Sequence, residues 1–525
     1  MRNNLQSDFF RWRVILLLIY TIILAFLLEI SIHQLGHSTF LNVLENILFG
    51  SIIYFSILIL NTFTWSKWLG NMLLVGFYLI LLIETGLYIL FETRFNASYI
   101  YVILNTNATE MSEFSQTFST YYLLWLLLFL VPLFSFFPKR KASAKALSKT
   151  KLLISLGFIL ILAGALKFSK LIIYNLPYIT VKSYVQYKEQ IEEIEKFKTE
   201  NPQLELETST QNELIVIAVG ESASRKHMQL YGYQRPTNPV LMKQDSLHLF
   251  NDVISSHVYT MGSIYDVFTL ANYENPKASK LLMHYLKSAN YKTYWLSNQR
   301  PVGFHDNLIS KLASVSNETT FFNYSEFNEN GTFDEVLLPL LDETMQKEGK
   351  KVIFLHLAGN HYAYNKRYPT SFNYFTSDDD SEKTTNTNTY DNAIRYNDYV
   401  LSEVLDLIQQ QNEKSAFLYF SDHGEEMYDV SDYFGHFEDK PTSTMYEIPF
   451  IFWKSPSFET PSGFTLDTSR PYMLDDFPHT LTHLMGISAE DLETSRSIFS
   501  DSFQPRKRMI QDGTDFEEFK KSEKK

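Results

Sequence analysis

The residues best able to do chemistry gather where apolar runs stop. "FLYFS" (Phe417–Ser421) ends in Asp422-His423-Gly424-Glu425, an acid beside an imidazole with a second acid close behind. "LIVIAV" (Leu214–Val219) runs into Gly220-Glu221-Ser222, and "KVIFLHL" (Lys351–Leu357) into Ala358-Gly359-Asn360-His361. His436 follows in "YFGHFE". Carboxylates and imidazoles delivered from separate strand ends suit zinc, which accepts N and O ligands. The chain has no cysteine, so thiolate metal sites, a disulfide framework and a cysteine nucleophile are excluded. What remains is a catalytic type of site with an open position. Each element alone has a plainer reading: a strand-end Asp caps a helix or makes a turn, and a lone His is a hydrogen-bonded surface or core residue. Their combination is more specific: Asp422-His423-Gly424-Glu425 after one apolar strand together with Gly220-Glu221-Ser222 after another.

Such groups need a scaffold. The three runs above and "IPFIFW" (Ile448–Trp453) read as buried strands. "YDNAIRYNDYVLSEVLDLIQQ" (Tyr390–Gln410) reads as an amphipathic helix leading into one of them, and "SFNYFTSDDDSEKTTNTNT" (Ser371–Thr389) as a polar, mobile loop. Alternating strands and helices predict a mostly parallel sheet covered on both faces. Sites in open sheets of this kind form at the carboxyl ends of the strands, which is where these acids and histidines lie.

The first third is different. Val14–Leu28, Ile47–Phe63, Met72–Phe91, Tyr121–Phe137 and Leu152–Leu166 are five apolar runs, each near the length a helix needs to cross about 30 Å of hydrocarbon. Arg2, Arg11 and Arg13 precede the first run, Lys67 lies between the second and third, and "KRKASAKALSKTK" (Lys139–Lys151) lies between the fourth and fifth. Glu29–Asn46 has no Lys or Arg, and Glu92–Tyr121 has only Arg94. Basic residues stay cytoplasmic. The N-terminus is therefore expected inside, and everything after Leu166 outside. Glu84 interrupts the third run, as either a functional intramembrane acid or a carboxyl bonded to a neighbouring helix. These readings divide the chain into a membrane domain (1–167), a polar connector with an interfacial helix (168–213) and an outer domain (214–525). The formal net charge of −13 argues against a nucleic-acid partner.

"LIVIAVGESASRKHMQLYGYQRPTNP", "SSHVYTMGS", "LHLAGNHYAYNKRYP", "YDNAIRYNDYVL", "SDHGEEMYDVSDYFGHFE" and "IPFIFW" occur in the order found in bacterial phosphoethanolamine transferases. The chain resembles that family over nearly its whole length. The resemblance implies a five-helix transmembrane bundle and an outer α/β domain of the alkaline phosphatase/sulfatase type. It implies zinc held by Glu221, Asp422, His423 and the nucleophile Thr260, with Ser255, Ser256 and Ser263 as nearby hydroxyls. It further implies substrate contacts from His361, His436 and Glu425, and from Asn298 and Gln299, where the family's usual lysine has no match. In "ILNTNATEMSEF" it implies lipid contacts from Thr106 and Glu110, with Asn105, Thr109 and Glu113 as the alternative register. The activity implied is transfer of phosphoethanolamine from phosphatidylethanolamine to lipid A or the lipopolysaccharide core, in a bacterial inner membrane with the catalytic domain periplasmic. Two other readings are a lipoteichoic-acid-synthase-like phosphoglycerol transferase and a non-enzymatic membrane sensor with a dead sulfatase-like domain. Intact Glu221, Thr260, Asp422 and His423 count against the second.

Overall fold

The computed structural model describes residues 37–91, 147–182 apart from 170, 204–322 apart from 278, 279 and 300–307, and 332–523 apart from 380, 412 and 512, with isolated positions elsewhere. The chain forms two compact units, one built mainly from residues before Gln186 and one mainly from Tyr187 onward.

The first unit contains α1 (His37–Leu60), α2 (Lys67–Phe91) and α3 (Lys149–Phe168). Among the described residues, two helices are long and apolar enough to cross a membrane, Val43–Leu60 within α1 and Lys149–Phe168. The expected third span falls in α2, whose described apolar part is Trp68–Ile80. The first and fourth expected spans, Thr106, Glu110, the side chain of Glu84 and most of the expected interfacial helix lie outside the described residues. Both α1 and α3 begin before their apolar runs. An apolar run marks the part of a helix facing hydrocarbon, whereas the start is set by a cap; Ser148 Oγ accepts the Lys151 N–H of α3. Phe55 and Phe158 stack between α1 and α3 with ring centroids 5.1 Å apart. Asn175 Nδ2 donates to the buried Glu45 carboxylate at 2.7 Å.

The second unit is built on a seven-stranded sheet: β1 (Leu214–Gly220), β2 (His248–Leu249), β3 (Lys292–Ser297), β4 (Glu318–Phe321), β5 (Lys351–His356), β6 (Ser415–Ser421) and β7 (Phe450–Lys454), in the spatial order β2-β7-β6-β1-β5-β3-β4. Strands β6, β1, β5, β3 and β4 are parallel, and β7 runs antiparallel to β6. Its helices are α4 (Thr260–Phe268), α5 (Leu282–Ser288), α6 (Leu308–Ala313), α7 (Leu337–Met345), α8 (Glu382–Gln410), α9 (Phe477–Leu484) and α10 (Phe516–Ser522). Every residue of β1 and β6 is buried, which accounts for their unbroken apolar runs. Ile215, Ile217 and Val219 face one core with Ile264 and Phe268 of α4 and Leu481 of α9. Leu214, Val216 and Ala218 face the other with Ile394, Leu401 and Leu405 of α8.

Two expectations change. The segment expected as a mobile loop gives its last eight residues, Glu382–Thr389, to α8. Thr and Asn are poor helix formers, but Ser381 caps the helix by accepting the Thr384 N–H, and Arg235 Nη2 donates to Asn388 at 2.7 Å. Second, residues before Leu214 already join the outer fold, because Glu207–Thr208 pair antiparallel with Ile487–Ser488.

Candidate metal centre

Parallel pairing brings the carboxyl ends of β1, β5 and β6 to one edge, and the ends of β1 and β6 are shaped to aim side chains there. After β1 the chain reverses through Ser222, a buried residue at φ 54°. A left-handed serine is strained, so its surroundings must hold it. Tyr390 Oη donates to the Ser222 carbonyl at 2.7 Å, and the Ser222 N–H donates to Asp422 Oδ1 at 3.1 Å. The reversal presents Glu221. After β6, Gly424 has no room for a side chain: a Cβ there would lie 2.2 Å from the Thr444 carbonyl oxygen. This close approach presents Asp422 and His423.

The three groups converge. One ligand atom from each of Glu221, Asp422 and His423 lies within 4.8 Å of the others, and all three residues are buried. His423 Nδ1 is 2.8 Å from the Gly424 carbonyl. A carbonyl only accepts, so Nδ1 carries the proton and Nε2 is left as a ligand atom. That Nε2 faces Glu221 Oε1 at 3.4 Å and Asp422 Oδ2 at 3.5 Å. Thr260, the first residue of α4, puts Oγ1 3.2 Å from both Glu221 oxygens and 3.4 Å from His423 Nε2. The capping position, Tyr259, supplies no side-chain bond to the first turn, so backbone N–H groups beside Thr260 keep their anion-binding capacity.

The electrostatics follow from this crowding. Burial would raise Glu221, but the bond and charge of His423, then His361 and His436, outweigh it and hold its carboxyl below the usual range. Asp422 is pushed upward by burial and by the Glu221 charge. Burial opposes a charged His423, yet Asp422, Glu221 and Glu425 raise it. Asp422 Oδ2 is buried without a hydrogen-bond partner of acceptable geometry among the described residues. Crowded carboxylates with an orphaned oxygen and an imidazole lone pair fit a divalent cation, which takes the place of a proton. Two carboxylates, one imidazole and a hydroxyl at the remaining corner match a four-coordinate zinc site.

The other expected residues are placed as follows. His436 Nδ1 is 2.6 Å from Glu425 Oε2, and Tyr364 Oη donates to Glu425 Oε1. The His423 and His436 rings lie 4.3 Å apart, and His423, Glu425 and His436 form a second group of potential ligands. His361 is near enough for its charge to act on Glu221. Ser255 Oγ and Ser263 Oγ donate to the His257 carbonyl, and Ser256 Oγ to Asp266. None of these three bonds reaches the ligand groups, so of the four hydroxyls expected near the site Thr260 is the one beside them; Ser222 Oγ, 2.9 Å from Glu221 Oε1, is a further hydroxyl there. Asn298 and the Nε2 of Gln299 are engaged by protein groups. Tyr364, Tyr390 and Asp334 escaped sequence reasoning, although two of the three lie inside the quoted motifs "LHLAGNHYAYNKRYP" and "YDNAIRYNDYVL".

The sulfatase family profile matches residues 213–487, just over half of the chain. Phosphoethanolamine transferase EptC of Escherichia coli (strain K12) is 32% identical over 362 residues, covering 64% of this chain and 62% of that relative. The crystal structure of the C-terminal periplasmic domain of E. coli EptC in complex with Zn superposes with a TM-score of 0.57 at 30% identity, covering 60% of this chain and 96% of that one. The chain belongs to the sulfatase family. Its match to full-length EptC spans less than two thirds of that relative's length. Over 94% of this sulfatase-family chain and 99% of the other, the fold also matches the integral membrane protein lipooligosaccharide phosphoethanolamine transferase A (EptA) of Neisseria meningitidis, with a TM-score of 0.68 at 20% identity.

Proposed function

We propose that the protein is a zinc-dependent phosphoethanolamine transferase of a bacterial inner membrane. It takes phosphoethanolamine from phosphatidylethanolamine and passes it to lipid A or the lipopolysaccharide core. The observation that carries this is the position of Thr260 Oγ1, 3.2 Å from both Glu221 oxygens and 3.4 Å from His423 Nε2. Zinc, held by Glu221, Asp422 and His423, would lower the Thr260 hydroxyl's proton affinity and neutralise phosphoryl charge. Thr260 Oγ1 gives up its proton and bonds to the donor phosphorus, the P–O bond to diacylglycerol breaks with its electron pair on the leaving oxygen, and that alkoxide takes up a proton to leave as diacylglycerol. A hydroxyl or phosphate of the acceptor then displaces Thr260. His361 and His436 steady the phosphoryl oxygens, and Glu425, bonded by Tyr364, fixes the His436 ring by accepting from Nδ1.

The proposal keeps the five-span membrane domain at 1–167, the connector from 168 and the catalytic domain to 525, with Glu207–Thr208 of the expected connector counted with the catalytic domain, the N-terminus cytoplasmic and the catalytic domain periplasmic. Lys149 and Lys151 support that orientation, since they sit in the first turn of α3 against the helix dipole. Thr106 and Glu110 remain the proposed lipid contacts. Elemental analysis of the purified chain should give at least one zinc, lost in the Asp422→Ala, His423→Ala double variant. Diacylglycerol should be released from phosphatidylethanolamine and not from phosphatidylglycerol. Retained zinc in the double variant, or preference for phosphatidylglycerol, would overturn the reading.

A further inference from the structure

Two consecutive amides end β3. Strand β3 pairs with β5 at Ser297 and His356, and β5 pairs with β1 at His356 and Val219. Gln299 therefore starts two strands away from Glu221. It reaches across the end of β5: Nε2 donates to the Leu357 carbonyl at 2.9 Å and to Glu221 Oε2 at 3.2 Å. An amide nitrogen has two hydrogens, and these contacts use both. No donor is left on that nitrogen for a substrate. Its own backbone is fixed too, by the Gln299 N–H donating to Ser297 Oγ at 3.1 Å.

The neighbouring amide acts on the backbone of the same glutamate. Asn298 Nδ2 donates to Asp334 Oδ1 at 2.8 Å and to the Thr332 carbonyl at 2.9 Å. Asp334 in turn accepts the Ala358 N–H at 2.8 Å and the Gly359 N–H at 2.9 Å. That loop lies against Glu221: a Cβ on Gly359 would be 2.8 Å from the Glu221 nitrogen, and the Asn360 N–H donates to the Glu221 carbonyl at 2.9 Å.

We propose that Gln299 is a positioning residue for the metal-binding carboxylate: bridging the Leu357 carbonyl and Glu221 Oε2, it ties one oxygen back and leaves Oε1 to the metal. Asn298, through Asp334, holds the loop that braces the Glu221 backbone. This replaces the expected substrate contact at both positions, and it rests on the zinc site proposed above. Oε1 is the oxygen nearer His423 Nε2, at 3.4 Å, and it also accepts from Ser222 Oγ at 2.9 Å. Glu221 therefore has donors on both oxygens before any metal arrives, so its rotamer is preset. Donors of this kind behind a ligand govern metal affinity by about 10–100-fold.

The test uses the full-length protein in detergent, with zinc affinity measured by chelator competition and KM for phosphatidylethanolamine measured at saturating zinc. Gln299→Met keeps the side chain's length without its donors. Gln299→Asn keeps the amide but is one methylene too short to bridge. Both should bind zinc on the order of 10–100-fold more weakly, with KM within about twofold of wild type. Wild-type zinc affinity with a raised KM in both variants would make Gln299 a substrate contact and overturn the proposal. Zinc binding that survives Asp422→Ala with His423→Ala would instead remove the metal site itself, and this inference with it.

Discussion

Replacing Gly424 by alanine adds one methyl group in the tightest place the site has. The new Cβ would lie 2.2 Å from the Thr444 carbonyl oxygen and 3.2 Å from both the Glu447 oxygen and the Met445 carbonyl carbon. All three neighbours are backbone, so no side chain can swing away. Relief of the shortest contact needs a movement on the order of 1 Å, since carbon and oxygen settle beyond about 3 Å. The Gly424 N–H donates to the Met445 carbonyl at 2.7 Å, and moving the segment apart weakens that bond. Overpacking of this kind costs about 1–3 kcal/mol. The same movement carries His423, whose Nδ1 bonds the Gly424 carbonyl at 2.8 Å. A misplacement of ~1 Å at a reacting centre costs about 10²-fold in rate. Gly424→Ala should therefore lower the melting temperature by several degrees and transfer activity by about 10²-fold. Differential scanning fluorimetry and diacylglycerol release measure the two effects. An unshifted melting temperature with full activity would refute the claim that Gly424 sets the position of Asp422 and His423.

Two further outcomes follow from buried charges outside the ligand set. Burial disfavours a charged His227, but Asp391 at 2.6 Å and Asp429 at 3.2 Å raise it from 6.5 to about 9. A raised histidine stabilises the fold fully below its unfolded value near 6.5 and ceases to do so as pH rises through about 9. The loss is about 3 kcal/mol, so wild type should lose stability across that window relative to His227→Gln; parallel pH profiles in denaturant melts would contradict this. Asp334→Ala removes the shared acceptor of one Asn298 amide hydrogen and of the Ala358 and Gly359 N–H groups. It should destabilise by on the order of 3 kcal/mol and weaken zinc binding, checked by denaturant melts and chelator competition, whereas Asp334→Asn should lose less.

Strands β1 and β6 were legible because every residue in them is buried, so the apolar run and the strand coincide. Strands β3 ("KTYWLS") and β4 ("ETTF") were not, since Lys292, Thr293, Thr319 and Thr320 break the apolar signal. The antiparallel course of β7 has no local signature, because a buried strand reads the same in either direction. Glu221, Asp422 and His423 could be found at strand ends, whereas Thr260 came through the resemblance and not through its own type. Tyr390 was out of reach for another reason. Its part in the site is a bond to Ser222, 168 residues earlier in the chain, and only folding reveals such a partner. Asn298 and Gln299 follow β3, and the bonds of their side-chain nitrogens go to protein groups that no local sequence pattern announces.

The central claim is that Thr260 carries the group in transit. Transfer by double displacement must pass through a phosphoethanolamine–threonine species, and withholding the acceptor should let it accumulate. Intact-protein mass spectrometry after incubation with phosphatidylethanolamine should find one phosphoethanolamine adduct, mapped to Thr260 by peptide fragmentation. Thr260→Ala should show no adduct, retain zinc through Glu221, Asp422 and His423, and lose on the order of 10³-fold or more in transfer. An adduct on Ser255, Ser256 or Ser263, or full transfer activity in Thr260→Ala, would contradict the account.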